Sequence, residues 1–216
     1  MTTVRLHLYS LYERVWHWLQ AFVILILLLT GLEIHDPQAV SVLGFSAAVS
    51  VHTAMAFVLL INAFLGLLYQ LATQKIRAYL PEPRDFFTQA IAQAVYYLRG
   101  IFRGDPHPLK RTADRRLNPL QQVTYLAILN ILLPLQVLTG LLMWGLQTWP
   151  DLGGWFGGLP VLAPVHTLAA WLFAAFLLMH LYLTTTGTTP LSNMRAMITG
   201  YEDVEAHEQN PEDPSA

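Results

Sequence analysis

The sequence predicts an all-α integral membrane protein: a four-helix transmembrane bundle with one further amphipathic helix on its cytoplasmic side. Three observations predict it. Of the 216 residues 54% are hydrophobic and only 12% are charged, where a soluble domain carries about 25% charged residues. The charge is also segregated. Val15 to Leu32, Pro37 to Gln74, Leu117 to Pro150 and Leu152 to Met194 hold no Asp, Glu, Lys or Arg, and each contains an apolar stretch near the roughly 20 residues that span a bilayer. Finally, all twelve Lys and Arg residues fall on one side of the implied spans.

The spans are expected at about 16–34, 51–72, 121–146 and 162–185. Helices are expected because every backbone polar group in lipid must be satisfied within its own element. The first span has basic flanks, Arg5 and Arg14, as a signal peptide would. Its apolar stretch is too long for one, and Glu33 and His35 follow where a small-residue cleavage site belongs. It is therefore read as a retained helix. Between spans two and three lie Lys75, Arg77, Arg84, Arg99, Arg103, Lys110, Arg111, Arg115 and Arg116. The connections His35–Ser50 and Gln147–Val161 have no base. The positive-inside rule then places both termini and the long middle loop in the cytoplasm. Within that loop, residues 84–102 carry Phe87, Ile91, Val95, Leu98 and Phe102 on one helical stripe. That pattern fits a helix lying in the interface, or a short helix packed on the bundle. Pro134 predicts a kink in span three. Trp16, Trp18, Trp144, Trp149 and Trp155 lie near span ends, where indoles favour the lipid–water boundary. Residues 1–200 form the membrane domain. Residues 201–216, with six acids and no base, are expected to be a disordered tail.

The chain has no cysteine. That excludes disulfides, iron–sulfur clusters and any haem attached through C-x-x-C-H. Chemistry must come from elsewhere, and the histidines supply it. His7, His35, His107 and His207 lie outside the spans and read as solvated residues. His17, His52, His166 and His180 lie inside or at the edges of spans, where ionisable side chains default to function. His166 and His180 are fourteen residues apart. That interval falls about 40° short of four helical turns and spans roughly 21 Å, so both point nearly the same way from opposite ends of one helix. With the topology above, His17 and His180 share the cytoplasmic level, and His52 and His166 share the outer level. The same interval carries His17 to Gly31 and His52 to Gly66. Each helix thus offers a ligand at one level and a glycine at the other, where a flat ring can approach the backbone. Gly140 on the third span fits the same use at the outer level. Small residues also mark close helix packing, so the glycines have a packing reading too.

Two imidazoles per level are too few for zinc, which takes about four ligands. They suffice for iron that brings four equatorial nitrogens in a porphyrin. The expectation is therefore two stacked, non-covalent haem b groups, each with both axial positions filled. Iron so coordinated has no open position for oxygen and suits electron transfer.

The stretches ERVWHWLQAFVILILLLTGLEIH, VSVHTAMAFVLLINAF, LNPLQQVTYLAILNILLPLQVLTGLLMW and VHTLAAWLFAAFLLMHLYLTTTG resemble the di-haem cytochrome b membrane subunits of thiosulfate reductase, nickel–iron hydrogenase and formate dehydrogenase. The chain lies nearest the thiosulfate-reductase-like branch, and the resemblance covers residues 5–200. It implies the same pairs, His17 with His180 and His52 with His166. It also implies a quinone beside the cytoplasmic haem, at an Asn-x-x-Gln stretch that Asn118 and Gln121 match. Leu120 stands where relatives have glycine. Asn118 before Pro119 is equally a helix N-cap. Arg14 is a candidate partner for a haem propionate, and equally a positive-inside anchor.

The implied function is a membrane-anchoring electron-transfer subunit, non-catalytic beyond quinone. Its expected partners are lipid, quinone or quinol, and an outer redox subunit such as a molybdoenzyme, a hydrogenase or a multihaem cytochrome c. No nucleic-acid partner is expected. The alternative is a stand-alone superoxide:ubiquinone oxidoreductase of the small di-haem type. Such an enzyme wants a basic outer surface for its anion, whereas the outer connections hold Asp36 and Asp151 and no base. A haem-free proton-relay transporter is a third reading, which the paired histidine levels do not suggest.

Overall fold

A computed structural model describes residues 3–80, 85–105, 108, 117–146, 148–187 and 189–205. Four helices are long and apolar enough to cross a membrane: Leu11–His35, Phe45–Ala72, Pro119–Gly145 and Leu159–Thr184. Each starts two to six residues before the span expected from the sequence. The chain divides into two compact units.

The first unit comprises Val15–Ala72 and Ala127–His180 and holds the greater part of all four helices. The helices share little surface with one another, and most of their apolar residues remain uncovered by protein. What joins them is mainly polar. Asn62, buried on the second helix, donates from Nδ2 to Gln20 Oε1 at 2.7 Å on the first. Its carbonyl accepts the Trp16 indole N–H at 2.8 Å. Glu33, only 2% exposed, ends the first helix. Its carboxylate accepts backbone N–H groups from Val42 at 3.0 Å, Leu43 at 3.0 Å and Gly44 at 2.7 Å. Gly44, at φ +83°, turns the chain into the second helix. A buried acid with no cation partner among the described residues is thus held by donors at a helix N-terminus, where the helix dipole also favours it.

The third crossing is not uniform. It runs as α-helix Pro119–Ala127, π-helix Ile128–Leu132 and α-helix Leu133–Gly145. Pro134 has no N–H, and its ring would strike the carbonyl of Asn130 in a regular helix. The π turn just before it widens the spiral there. The irregularity expected at Pro134 therefore takes the form of a π segment on its N-terminal side.

The second unit comprises Met1–Arg14, Thr73–Leu126 and Leu181–Ala216. Ser10 and Glu13 cap the start of the first helix reciprocally: Ser10 N–H donates to Glu13 Oε2 at 2.7 Å, and Glu13 N–H to Ser10 Oγ at 3.3 Å. Glu13 Oε1 also pairs with Lys75 at 2.8 Å. In the long loop, a helix covers Phe86–Val95 and continues through a π turn, Tyr96–Gly100, to Ile101–Arg103. Phe87, Ile91, Val95, Leu98 and Phe102 are exposed, while Gln93 and Gly100 are buried. The apolar stripe thus faces away from the unit, as a helix at a lipid interface requires. Arg84, expected at its start, lies outside the described residues, as do His107, Lys110, Arg111, Arg115 and Arg116.

The expectation of a disordered tail from residue 201 is corrected. Tyr201–Glu205 forms a strand, β2, antiparallel to Thr3–His7, β1. Acidic composition hid this because the strand's partner lies far away in the chain. Arg5 is in register with Asp203, and its guanidinium lies 4.6 Å from the Tyr201 ring centroid. Gly200, at φ +90°, makes the turn, and its carbonyl accepts the N–H groups of Leu8 and Tyr9. Residues 206–216, with His207, lie outside the described residues.

Candidate functional site

The four span histidines come together in two pairs. His17 of the first helix faces His180 of the fourth, with ring centroids 6.2 Å apart. His52 of the second helix faces His166 of the fourth, at 6.3 Å. An imidazole nitrogen sits about 1.2 Å from its ring centroid and about 2.0 Å from a metal it ligates, so two rings on opposite sides of one ion have centroids about 6.4 Å apart. Both pairs match that span. Among the described residues there is no group of three or more His, Cys, Asp or Glu able to hold a bare ion. Each pair therefore suits iron that brings its own equatorial ligands, and the residues fit haem.

The His52–His166 pair is held at its outer nitrogens. Thr30 Oγ1 lies 2.9 Å from His52 Nδ1, and Thr139 Oγ1 lies 2.9 Å from His166 Nδ1. Each threonine also donates to the carbonyl four residues back, Ile26 or Leu135, at 2.7 Å. A hydroxyl has one proton, and a carbonyl oxygen at that distance needs it. Each Oγ1 therefore accepts from its histidine, Nδ1 carries the hydrogen, and Nε2 is left as an acceptor. Gln136 agrees with this: its amide nitrogen is 2.9 Å from His166 Nε2, a contact that requires Nε2 to accept.

The His17–His180 pair is held by rings instead. His17 meets Trp18 edge-on at 5.4 Å. Phe176 stacks on His180 at 5.7 Å and 25°. His17 Nδ1 is buried with no hydrogen-bond partner among the described residues.

The glycines fall out differently from expectation. At Gly31 an added Cβ would meet His52 Cε1 at 3.4 Å, and at Gly140 His166 Cε1 at 3.2 Å. Both make room for an imidazole. Gly66 is a correction. It was expected to clear space for a flat ring beside His17, but the Trp16 indole fills that space, and an added Cβ would lie 2.6 Å from Trp16 Cε2. The hydrogen bond from Trp16 to Asn62 fixes the indole there.

In the other unit Arg14 Nη1 donates to the Ile198 carbonyl at 2.6 Å, anchoring the segment before β2. Asn118 and Gln121 form a reciprocal cap. Gln121 N–H donates to Asn118 Oδ1 at 2.9 Å, and Asn118 N–H to Gln121 Oε1 at 3.0 Å. Asn118 Nδ2 donates to the Tyr97 hydroxyl at 3.0 Å. The capping reading of Asn118 is thus realised, and Tyr97 joins it.

Sequence reasoning missed Thr30, Thr139, Gln136 and Glu33. A signal for the threonines exists. The tetrapeptide Leu-Thr-Gly-Leu occurs at 29–32 and again at 138–141, and Val-His-Thr occurs at 51–53 and again at 165–167. Each half of the His52–His166 site is built from one copy of each.

A family model described as prokaryotic cytochrome b561 matches residues 8–200. A protein of Escherichia coli (strain K12) named "Putative cytochrome YdhU" is 35% identical over 199 residues, covering 91% of this chain and 74% of that one. No solved structure matches.

Proposed function

Because the chain belongs to the prokaryotic cytochrome b561 family, we propose that this membrane cytochrome conducts electrons across a bacterial inner membrane between an outer-face redox partner and the quinone pool. Family membership carries b-type haem and haem-dependent electron transfer. The finer reading is two haems per chain, one between His17 and His180 near the cytoplasm and one between His52 and His166 near the outer face. The observation that supports it most is the near-equal ring separation in both pairs, 6.2 and 6.3 Å. Filled axial positions suit electron transfer over oxygen chemistry. Placing the termini in the cytoplasm follows from the basic residues, all on one side of the spans. The outer partner is a redox subunit such as a molybdoenzyme, a hydrogenase or a multihaem cytochrome c.

Purified protein should release two haems per chain by non-covalent extraction; one or none would overturn the ligand assignment. Quinone is assigned to the Asn118–Gln121 end of the third helix, where the Tyr97 hydroxyl adds a polar group. Asn118→Ala should slow quinone reduction at full haem content. An unchanged rate would leave Asn118 with its cap alone.

A further inference from the structure

We propose that Thr30 and Thr139 are positioning residues that give the His52–His166 centre the lower reduction potential of the two. The proposal rests on the two-haem reading above. Both threonines accept the Nδ1 proton of an axial imidazole at 2.9 Å. A histidine that donates its second N–H becomes a more basic ligand and is fixed in tautomer and orientation. A more basic axial ligand stabilises ferric over ferrous iron, so hydrogen bonding around the ligands tunes the potential. The other centre differs among the described residues. His17 Nδ1 is buried without a partner, and His180 packs on the Phe176 ring. The asymmetry is built in by sequence, since both Leu-Thr-Gly-Leu copies serve one centre and neither serves the other. Each threonine is in turn fixed by its own bond to a helix carbonyl, so its lone pair is aimed before any cofactor arrives. The ordering makes the direction from the His52–His166 end toward the His17–His180 end the downhill one for an electron.

The test is a redox titration of the purified full chain, followed by absorbance, with haem content measured alongside. Two components should resolve in the wild type, and His166→Ala should delete the lower one. Thr139→Val and Thr30→Val remove the acceptor at nearly constant volume and should each raise the lower midpoint while leaving the upper one in place. Thr139→Ser restores the hydroxyl and should return the midpoint toward wild type. The proposal is overturned if His166→Ala deletes the upper component, if the two centres titrate together, or if the valine variants bind two haems with unmoved midpoints. If a valine variant loses its haem, the component deleted by His166→Ala decides the ordering. Wild-type protein holding fewer than two haems would instead defeat the underlying assignment, which the haem count reads separately.

Discussion

The two histidine pairs are alike in span and unlike in support. His52 and His166 each find a threonine hydroxyl and a glycine on the facing helix. His17 and His180 find aromatic rings. The first arrangement defines which nitrogen donates and which way the ring is turned. The second defines position by packing and leaves His17 Nδ1 without an acceptor among the described residues. The threonines come from the helices facing each histidine, whereas Trp18 and Phe176 lie on the same helices as the histidines they touch. A bundle with little helix-to-helix contact can therefore carry two centres of different character without altering its backbone plan.

The largest way to break the comparison is to remove one member of each pair. His166→Ala and His180→Ala should each cut the haem count from two to one, as read by the absorbance of extracted haem, with different spectra for the two remaining centres. Identical remaining spectra would mean that the surroundings described here do not distinguish the centres. A smaller effect is expected at Glu33, whose carboxylate satisfies three backbone donors. Each unsatisfied buried donor costs about 1–3 kcal/mol, so Glu33→Ala should lower the melting temperature in detergent. The haem assigned to His52–His166 should be the one loosened, because Glu33 holds the turn that starts the helix carrying His52. Equal loosening of both would place Glu33 outside this contrast. The smallest effect should come from Gly66→Ala, which crowds the Trp16 indole on the His17 side. Overpacking costs about 1–3 kcal/mol, part of it recoverable if the indole tilts. A stability equal to wild type would show that Trp16 is not confined.

Much of this was legible in the sequence. Four uncharged stretches mark the four helices, because lipid excludes charge. The fourteen-residue interval from His166 to His180, with one-sided basic residues, pairs the histidines that the structure brings together. What stayed hidden depends on a neighbour in space. Gly66 reads as a gap until the Trp16 indole fills it. Thr30 and Thr139 read as ordinary span residues until a facing helix turns an imidazole toward them, although their repeated tetrapeptide was there to be noticed. The strand at 201–205 was masked by its acids, and its pairing partner, residues 3–7, is distant in sequence. Asn118 was legible as a cap because that role is local.

The ladder of β1 and β2 bears on how the molecule is assembled. β2 lies beyond the fourth long helix in the chain, so all four long helices are made between β1 and its mate. While those helices are made, β1 waits without its ladder. Closure of the ladder is thus a late event, one that waits for the last long helix to be made.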